Sequence, residues 1–188
     1  METRATTKEL YTGLGAVDGF DEKSLRYLSR ECQRADILPT GKQGGGRAAA
    51  RVTTEQTAMF LIAAMYPGSA REAVKWAKKM GKLKYTGGEK PERLKDFFAW
   101  LLESVLTQAD VILDISTLVF DETEPEGYIL TLETRGGKRV KAETNYVEKP
   151  GDITHAERAA YAPSGTVNGN VIAALAHVLF LEEEPKTE

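Results

Sequence analysis

Hydrophobic residues recur every three or four positions along the first half of the chain, and this spacing predicts four helices. Two of these helices open with the spacing of a capping box, Thr53 with Gln56 and Ser69 with Glu72. Turn-forming residues separate the helices from one another. The predicted helices are Thr6–Val17, Asp21–Ile37, Thr53–Met65 and Ser69–Met80.

The hydrophobic period changes in the second half of the chain. Apolar residues first continue at helical spacing, then form a β-branched run, and then alternate with polar residues as in half-buried strands. The pair Gly136-Gly137 suits the tight turn of a β-hairpin between two of these strands. The predicted elements are a helix over Pro91–Val105, strands over Val111–Phe120, Tyr128–Leu132 and Val140–Tyr146, and a last helix from Asn168 or Asn170 to Leu179.

The helix predicted over Asp21–Ile37 has two opposed faces. At 100° per residue, four apolar or small residues fall within roughly 80° of one another. They are Leu25, Leu28, Cys32 and Ala35. The basic residues Lys23, Arg26, Arg30 and Arg34 occupy a similar arc on the opposite side. We therefore expect one face to pack in a core, with Cys32 as a small buried residue, and the other to present cations.

The charge is distributed unevenly along the chain. Residues 1–100 contain 18 Lys and Arg against 12 Asp and Glu, whereas residues 101–188 contain 7 against 16, which together give the net charge of −3. Residues 23–95 alone contain 16 basic and 6 acidic residues. Such an asymmetry indicates a part that binds nucleic acid joined to a part with another role.

The order of a short helix, a turn, a cationic helix, a Gly-rich basic loop and two further helices resembles the winged helix-turn-helix domain of MerR-type DNA-binding proteins. The resemblance covers roughly residues 6–80 and implies a winged-helix fold that binds duplex DNA. In general character the chain also resembles bacteriophage and prophage proteins. The matching segments are Ser24-Leu25-Arg26-Tyr27 for the recognition helix, Ile37-Leu38-Pro39 for its exit, Gly44-Gly45-Gly46-Arg47 to Val52 for the basic wing, and Thr53-Thr54-Glu55 for the next helix.

The basic residues of this region form the predicted DNA-binding site. Arginine side chains on a helix in the major groove can pair with guanine O6 and N7, and Arg26 and Arg30 are the predicted base contacts. A basic Gly-rich loop can follow the phosphates or enter the minor groove. The predicted phosphate contacts are Lys23, Arg34, Lys42, Arg47 and Arg51. The same pattern is also compatible with a solvated amphipathic helix beside a flexible basic loop.

Together these patterns predict an α+β fold in two domains. A winged helix-turn-helix DNA-binding domain is predicted over residues 1–88, ending in the linker-like Tyr85-Thr86-Gly87-Gly88. Residues 89–188 are predicted to form a small helix–β-hairpin–helix domain that mediates oligomerisation or binds a partner.

The composition offers little for catalysis or metal binding. One cysteine, Cys32, excludes an intrachain disulfide and a cysteine-based metal site, and there are two histidines, His155 and His177. Gly41–Arg47 lacks the spacing of a phosphate-binding Walker loop. Asp152, His155 and Ser164 have the residue types of a hydrolytic triad without a nucleophile elbow. We therefore expect no enzymatic activity, no metal site and no cofactor.

The sequence also bears on where the protein resides. No apolar run approaches the roughly 20 residues that a membrane helix needs. The first residues, Met1-Glu2-Thr3-Arg4, lead into polar sequence and not into the apolar segment of a signal peptide. These features predict a cytoplasmic protein that does not bind membranes.

Three functional hypotheses follow from the sequence. The first is a sequence-specific DNA-binding protein, a bacterial or phage transcription regulator that acts as a homodimer. The second is a phage DNA-packaging protein of the small-terminase kind. The third is an adaptor that binds no DNA and whose acidic half contacts a basic partner, either another protein or its own basic domain.

Overall fold

The computed structural model contains six helices and five strands within the residues that it describes. The helices are α1 (Thr7–Gly15), α2 (Glu22–Arg34), α3 (Thr54–Ala64), α4 (Ala70–Met80), α5 (Leu94–Leu113) and α6 (Gly169–Phe180). The strands are β1 (Lys84–Tyr85), β2 (Ile115–Glu124), β3 (Gly127–Thr134), β4 (Thr144–Val147) and β5 (Ser164–Val167). The backbone is described for residues 3, 5–17, 19–40, 50–85, 93–113, 115–124, 127–134, 144–147, 164–167 and 169–180, and side chains for residues 3, 5–17, 19–40, 50–84, 93–105 and 171–180.

The helices enclose one hydrophobic core, and α3 lies at its centre. Four consecutive residues of α3, from Phe60 to Ala63, are buried. A helix that is apolar around its whole circumference needs neighbours on every side. α3 accordingly packs against α2, α4 and α5. α6 packs against α5 and α1, so the last described helix contacts the first.

Side-chain caps begin the helices where the sequence predicts them. The capping boxes of α3 (Thr53 with Gln56) and α4 (Ser69 with Glu72) are confirmed. In α4 the Ser69 hydroxyl donates to the Glu72 carboxylate at 2.7 Å, and the Ser69 backbone N–H donates to it as well. These hydrogen bonds lower the pKa of Glu72, so the carboxylate stays ionised near the positive end of the helix dipole.

The cationic helix is shorter than its sequence pattern predicts. It ends at Arg34, and Asp36 adopts a left-handed conformation with φ of 58°. The Ile37 backbone N–H donates to the Cys32 carbonyl at 2.9 Å, and the Asp36 N–H donates to the Gln33 carbonyl at 3.2 Å. This is the Schellman pattern, with aspartate at the position that glycine usually occupies.

The prediction of an α+β fold, with a winged helix followed by a helix–β-hairpin–helix domain, is wrong. Where side chains are described, the protein is helical and contains no β-hairpin. A wing between α2 and α3 would need paired strands. The described residues of this segment form one isolated antiparallel bridge, between Arg51 and Thr6. α5 packs against both α3 and α6, and this packing joins the helices in one core.

The five described strands pair antiparallel throughout, in the order β1-β4-β3-β2-β5. The predicted turn at Gly136-Gly137 and the predicted domain boundary at residue 88 lie outside the described residues. Helices on both sides of that boundary contribute buried residues to the same core.

Candidate nucleic-acid interface

Helix α2 is anchored at its start and along its inner face. The Asp21 carboxylate caps the helix, accepting from the Ser24 backbone N–H at 2.8 Å and from the Ser24 hydroxyl at 2.7 Å. These two hydrogen bonds lower the pKa of Asp21. Leu25, Leu28 and Cys32 are buried in the core, as the sequence predicts. The orientation of the opposite face is therefore set by packing.

The thiol of Cys32 is inaccessible and protonated. Cys32 is fully buried, and burial together with the negative charge of the neighbouring Glu31 raises the pKa of its thiol to about 12, against a smaller lowering by Lys78. A thiol in this state is neither a nucleophile nor a metal ligand at neutral pH. Cys32 is a packing residue.

The outer face of α2 presents the four predicted basic residues. All four are exposed to solvent: Lys23, Arg26, Arg30 and Arg34. Among the described residues, Arg26 and Arg30 have no carboxylate partner, whereas Arg34 pairs with Glu31. Two arginines one helical turn apart thus keep all their hydrogen-bond donors available to an external acceptor.

An aromatic residue that the sequence analysis did not assign to the site lies on the same face. The Tyr27 side chain is 51% exposed, between Arg26 and Arg30 in sequence. An exposed tyrosine among cations can contact the phosphates and sugars of duplex DNA. Its sequence signal was its helical position, since residue 27 lies about 20° beyond the arc of the cations and away from Leu25 and Leu28.

A second row of cations lies on α4, which packs beside α2. The sequence pattern places these side chains on the outer side of their helix, and the structure shows them exposed. They are Arg71, Lys75, Lys78 and Lys79. Over α2 and α4 together, eight Lys and Arg accompany three Glu.

Glu31 connects the two helices. Its Oε1 pairs with Nη1 of Arg34 on the same helix, and its Oε2 lies 3.8 Å from Nε of Arg71 on α4. Glu31 is buried. The basic faces of α2 and α4 therefore meet at a shared carboxylate, which the separate helical patterns could not reveal.

Comparisons with protein-family models, with curated proteins and with solved structures found no match to this chain. The function is therefore inferred from the geometry of α2 and α4.

The remaining predicted DNA contacts are not part of α2. Arg51 is exposed and forms the backbone bridge to Thr6, just before α1. The Val52 backbone N–H also donates to the Ala5 carbonyl at 2.9 Å, which attaches this segment to the start of the chain. Lys42 and Arg47 lie outside the described residues.

The described part of the chain contains neither a metal-binding cluster nor a membrane-spanning helix. No group of three or more His, Cys, Asp or Glu side chains there could hold a metal ion. None of the described helices combines the length and the apolar character needed to cross a membrane.

Proposed function

We propose that this protein binds double-stranded DNA through the exposed basic face of α2. The observation that supports the proposal is the arrangement of Lys23, Arg26, Arg30 and Arg34 on one solvent-facing side of a helix whose other side is packed in the core. Phosphate neutralisation by such cations supplies essentially all of non-specific DNA affinity and a large share of specific affinity. A packed helix also loses little conformational freedom when it binds.

The roles of the side chains follow from their positions on α2. The major groove of B-DNA admits an α-helix, and a guanidinium can bind guanine O6 and N7 in a bidentate manner. Arg26 and Arg30, which have no described carboxylate partner, are the proposed base contacts. Lys23 at the start of the helix and Arg34 at its end are the proposed phosphate contacts. This assignment does not depend on a winged-helix fold.

The biological form that we propose is a transcription regulator that acts as a homodimer. A single small module rarely gives enough affinity alone, and a dimer doubles the number of base contacts.

The proposal is tested by selecting bound sequences from random duplexes and then titrating variants of the full chain. Arg30→Ala should lose roughly 1–3 kcal/mol of discrimination for the selected duplex over random duplex. Lys23→Ala should weaken binding to both duplexes similarly and reduce the slope of log Kobs against log salt by about one. Arg93→Ala, which removes the same charge as Arg30→Ala from an exposed residue outside α2 and α4, is the control.

The results discriminate between the functional hypotheses. Equal losses on both duplexes for Arg30→Ala would make this residue a phosphate contact. A stable ring of eight or more subunits by light scattering would indicate a packaging protein of the small-terminase kind. Absence of duplex binding in moderate salt would overturn the proposal and favour an adaptor.

A further inference from the structure

Two arginines from different helices converge at one place on the surface. Arg34 of α2 and Arg71 of α4 both pair with the buried carboxylate of Glu31, and their side chains are 68% and 76% exposed. Two cations therefore share one carboxylate, and the group has a net positive charge.

The guanidinium groups keep unused donors at this junction. A guanidinium has five N–H groups, and Glu31 engages Arg34 through Nη1 and Arg71 through Nε. The other N–H groups belong to side chains that are mostly exposed to solvent. A planar guanidinium with two free parallel donors matches the oxygens of a phosphate group.

The geometry points to a phosphate-binding site at the junction of α2 and α4, formed by Arg34 and Arg71 and oriented by Glu31. The ligand is a phosphate of the DNA backbone, so the basic face of α4 forms the second half of the interface. This inference rests on the proposed function of α2 and extends it to a helix to which the sequence analysis assigned no contact.

Glu31 acts as a positioning residue in this site. As a carboxylate it repels phosphate, and on charge alone its removal should strengthen DNA binding. As the shared partner of Arg34 and Arg71, it restricts both side chains before DNA arrives, which reduces the entropy lost on binding. The two roles predict opposite effects of Glu31→Gln on DNA affinity. If repulsion of phosphate dominates, the affinity rises, and if positioning of the arginines dominates, the affinity falls.

The test uses the full chain and duplex DNA titrated at several salt concentrations. Arg71→Ala should lower affinity about five- to tenfold at 0.1 M salt and reduce the log–log salt slope by about one, as expected for one lost phosphate contact. Glu31→Gln should lower affinity about two- to tenfold although it makes the protein more positive. In the Arg71→Ala background, Glu31→Gln should have a smaller effect. Urea unfolding of each variant checks that the fold persists.

The outcomes separate this inference from the proposed function. If Arg30→Ala weakens binding while Arg71→Ala behaves like the Arg93→Ala control, the α4 site is wrong and the α2 interface stands. If Glu31→Gln strengthens binding, Glu31 does not position the arginines. If wild type does not bind duplex at all, the proposed function itself fails.

A second experiment distinguishes a phosphate of the DNA backbone from a free phosphate ion as the ligand of this site. Inorganic phosphate, added in place of chloride at constant ionic strength, should weaken duplex binding by wild type and should have less effect on Arg71→Ala. Stabilisation of the fold by inorganic phosphate without any DNA defect in Arg71→Ala would indicate a site for the free anion and would overturn the DNA contact.

Discussion

Cys32 illustrates how burial determines the chemistry of a single side chain. It lies on the inner face of α2 with no solvent exposure, and the pKa of its thiol is raised to about 12 by burial first and by Glu31 second. At neutral pH the thiol is therefore almost entirely protonated and has no access to reagents. The Cys32 side chain therefore contributes to the stability of the fold through its packing in the core.

We predict that native Cys32 reacts with thiol reagents only as fast as the protein opens. Cys32→Ser should lower the free energy of unfolding by an amount on the order of 1 kcal/mol, because it places a hydroxyl in an apolar environment. Urea unfolding measures this change, and Cys32→Ala is the apolar control. Rapid labelling of the folded protein would show that the inner face of α2 is exposed.

At the scale of the element, the end of α2 depends on one backbone conformation. Asp36 has a φ angle of 58°, and a residue with a Cβ atom adopts this left-handed backbone conformation at an energetic cost. Asp36 also places a negative charge near the negative end of the helix dipole. The hydrogen bonds from Ile37 and Asp36 to the last turn nevertheless require this conformation.

We predict that Asp36→Gly is more stable than Asp36→Ala by about 1 kcal/mol, since both variants remove the charge and only glycine relieves the backbone strain. Urea unfolding of the two variants gives the difference directly. Equal stabilities would mean that α2 does not end in the left-handed conformation described here.

At the scale of the whole molecule, the first and the last described helices meet. Gly13 of α1 lies against Val178 of α6, and a Cβ at residue 13 would overlap the Val178 Cγ2 atom. Valine is stiff at χ1 in a helix, so this methyl group cannot easily move away. The close approach of α1 and α6 thus requires glycine at residue 13.

We predict that Gly13→Ala destabilises the protein, although alanine is the better helix former by about 1 kcal/mol. Overpacking against Val178 should cost roughly 1–3 kcal/mol and outweigh that gain. In a Val178→Ala background the overlap disappears, and Gly13→Ala should become neutral or stabilising. Urea unfolding of the four proteins measures the coupling. Stabilisation by Gly13→Ala in the wild-type background would contradict the packing of α1 on α6.

Much of the local structure could be predicted from the sequence. The caps at Asp21, Thr53 and Ser69 were predictable because each joins residues three positions apart. The end of α2 at Arg34 could not be predicted, because aspartate occupies the position at which glycine usually signals a Schellman end. In the candidate site, the basic face of α2 followed from helical periodicity, whereas the participation of α4 did not.

By itself, the sequence determined which face of α2 is buried and which is basic, since both faces follow from the periodicity of one helix. Only the tertiary structure decided that α5 and α6 share a core with α1 and α3, and that Arg34 and Arg71 meet at Glu31. Periodicity gives the direction of each side chain relative to its own helix axis. It does not identify the helix that packs against that face, because any apolar face of suitable width can cover any other. Which faces pack together is determined by the packing of the whole chain.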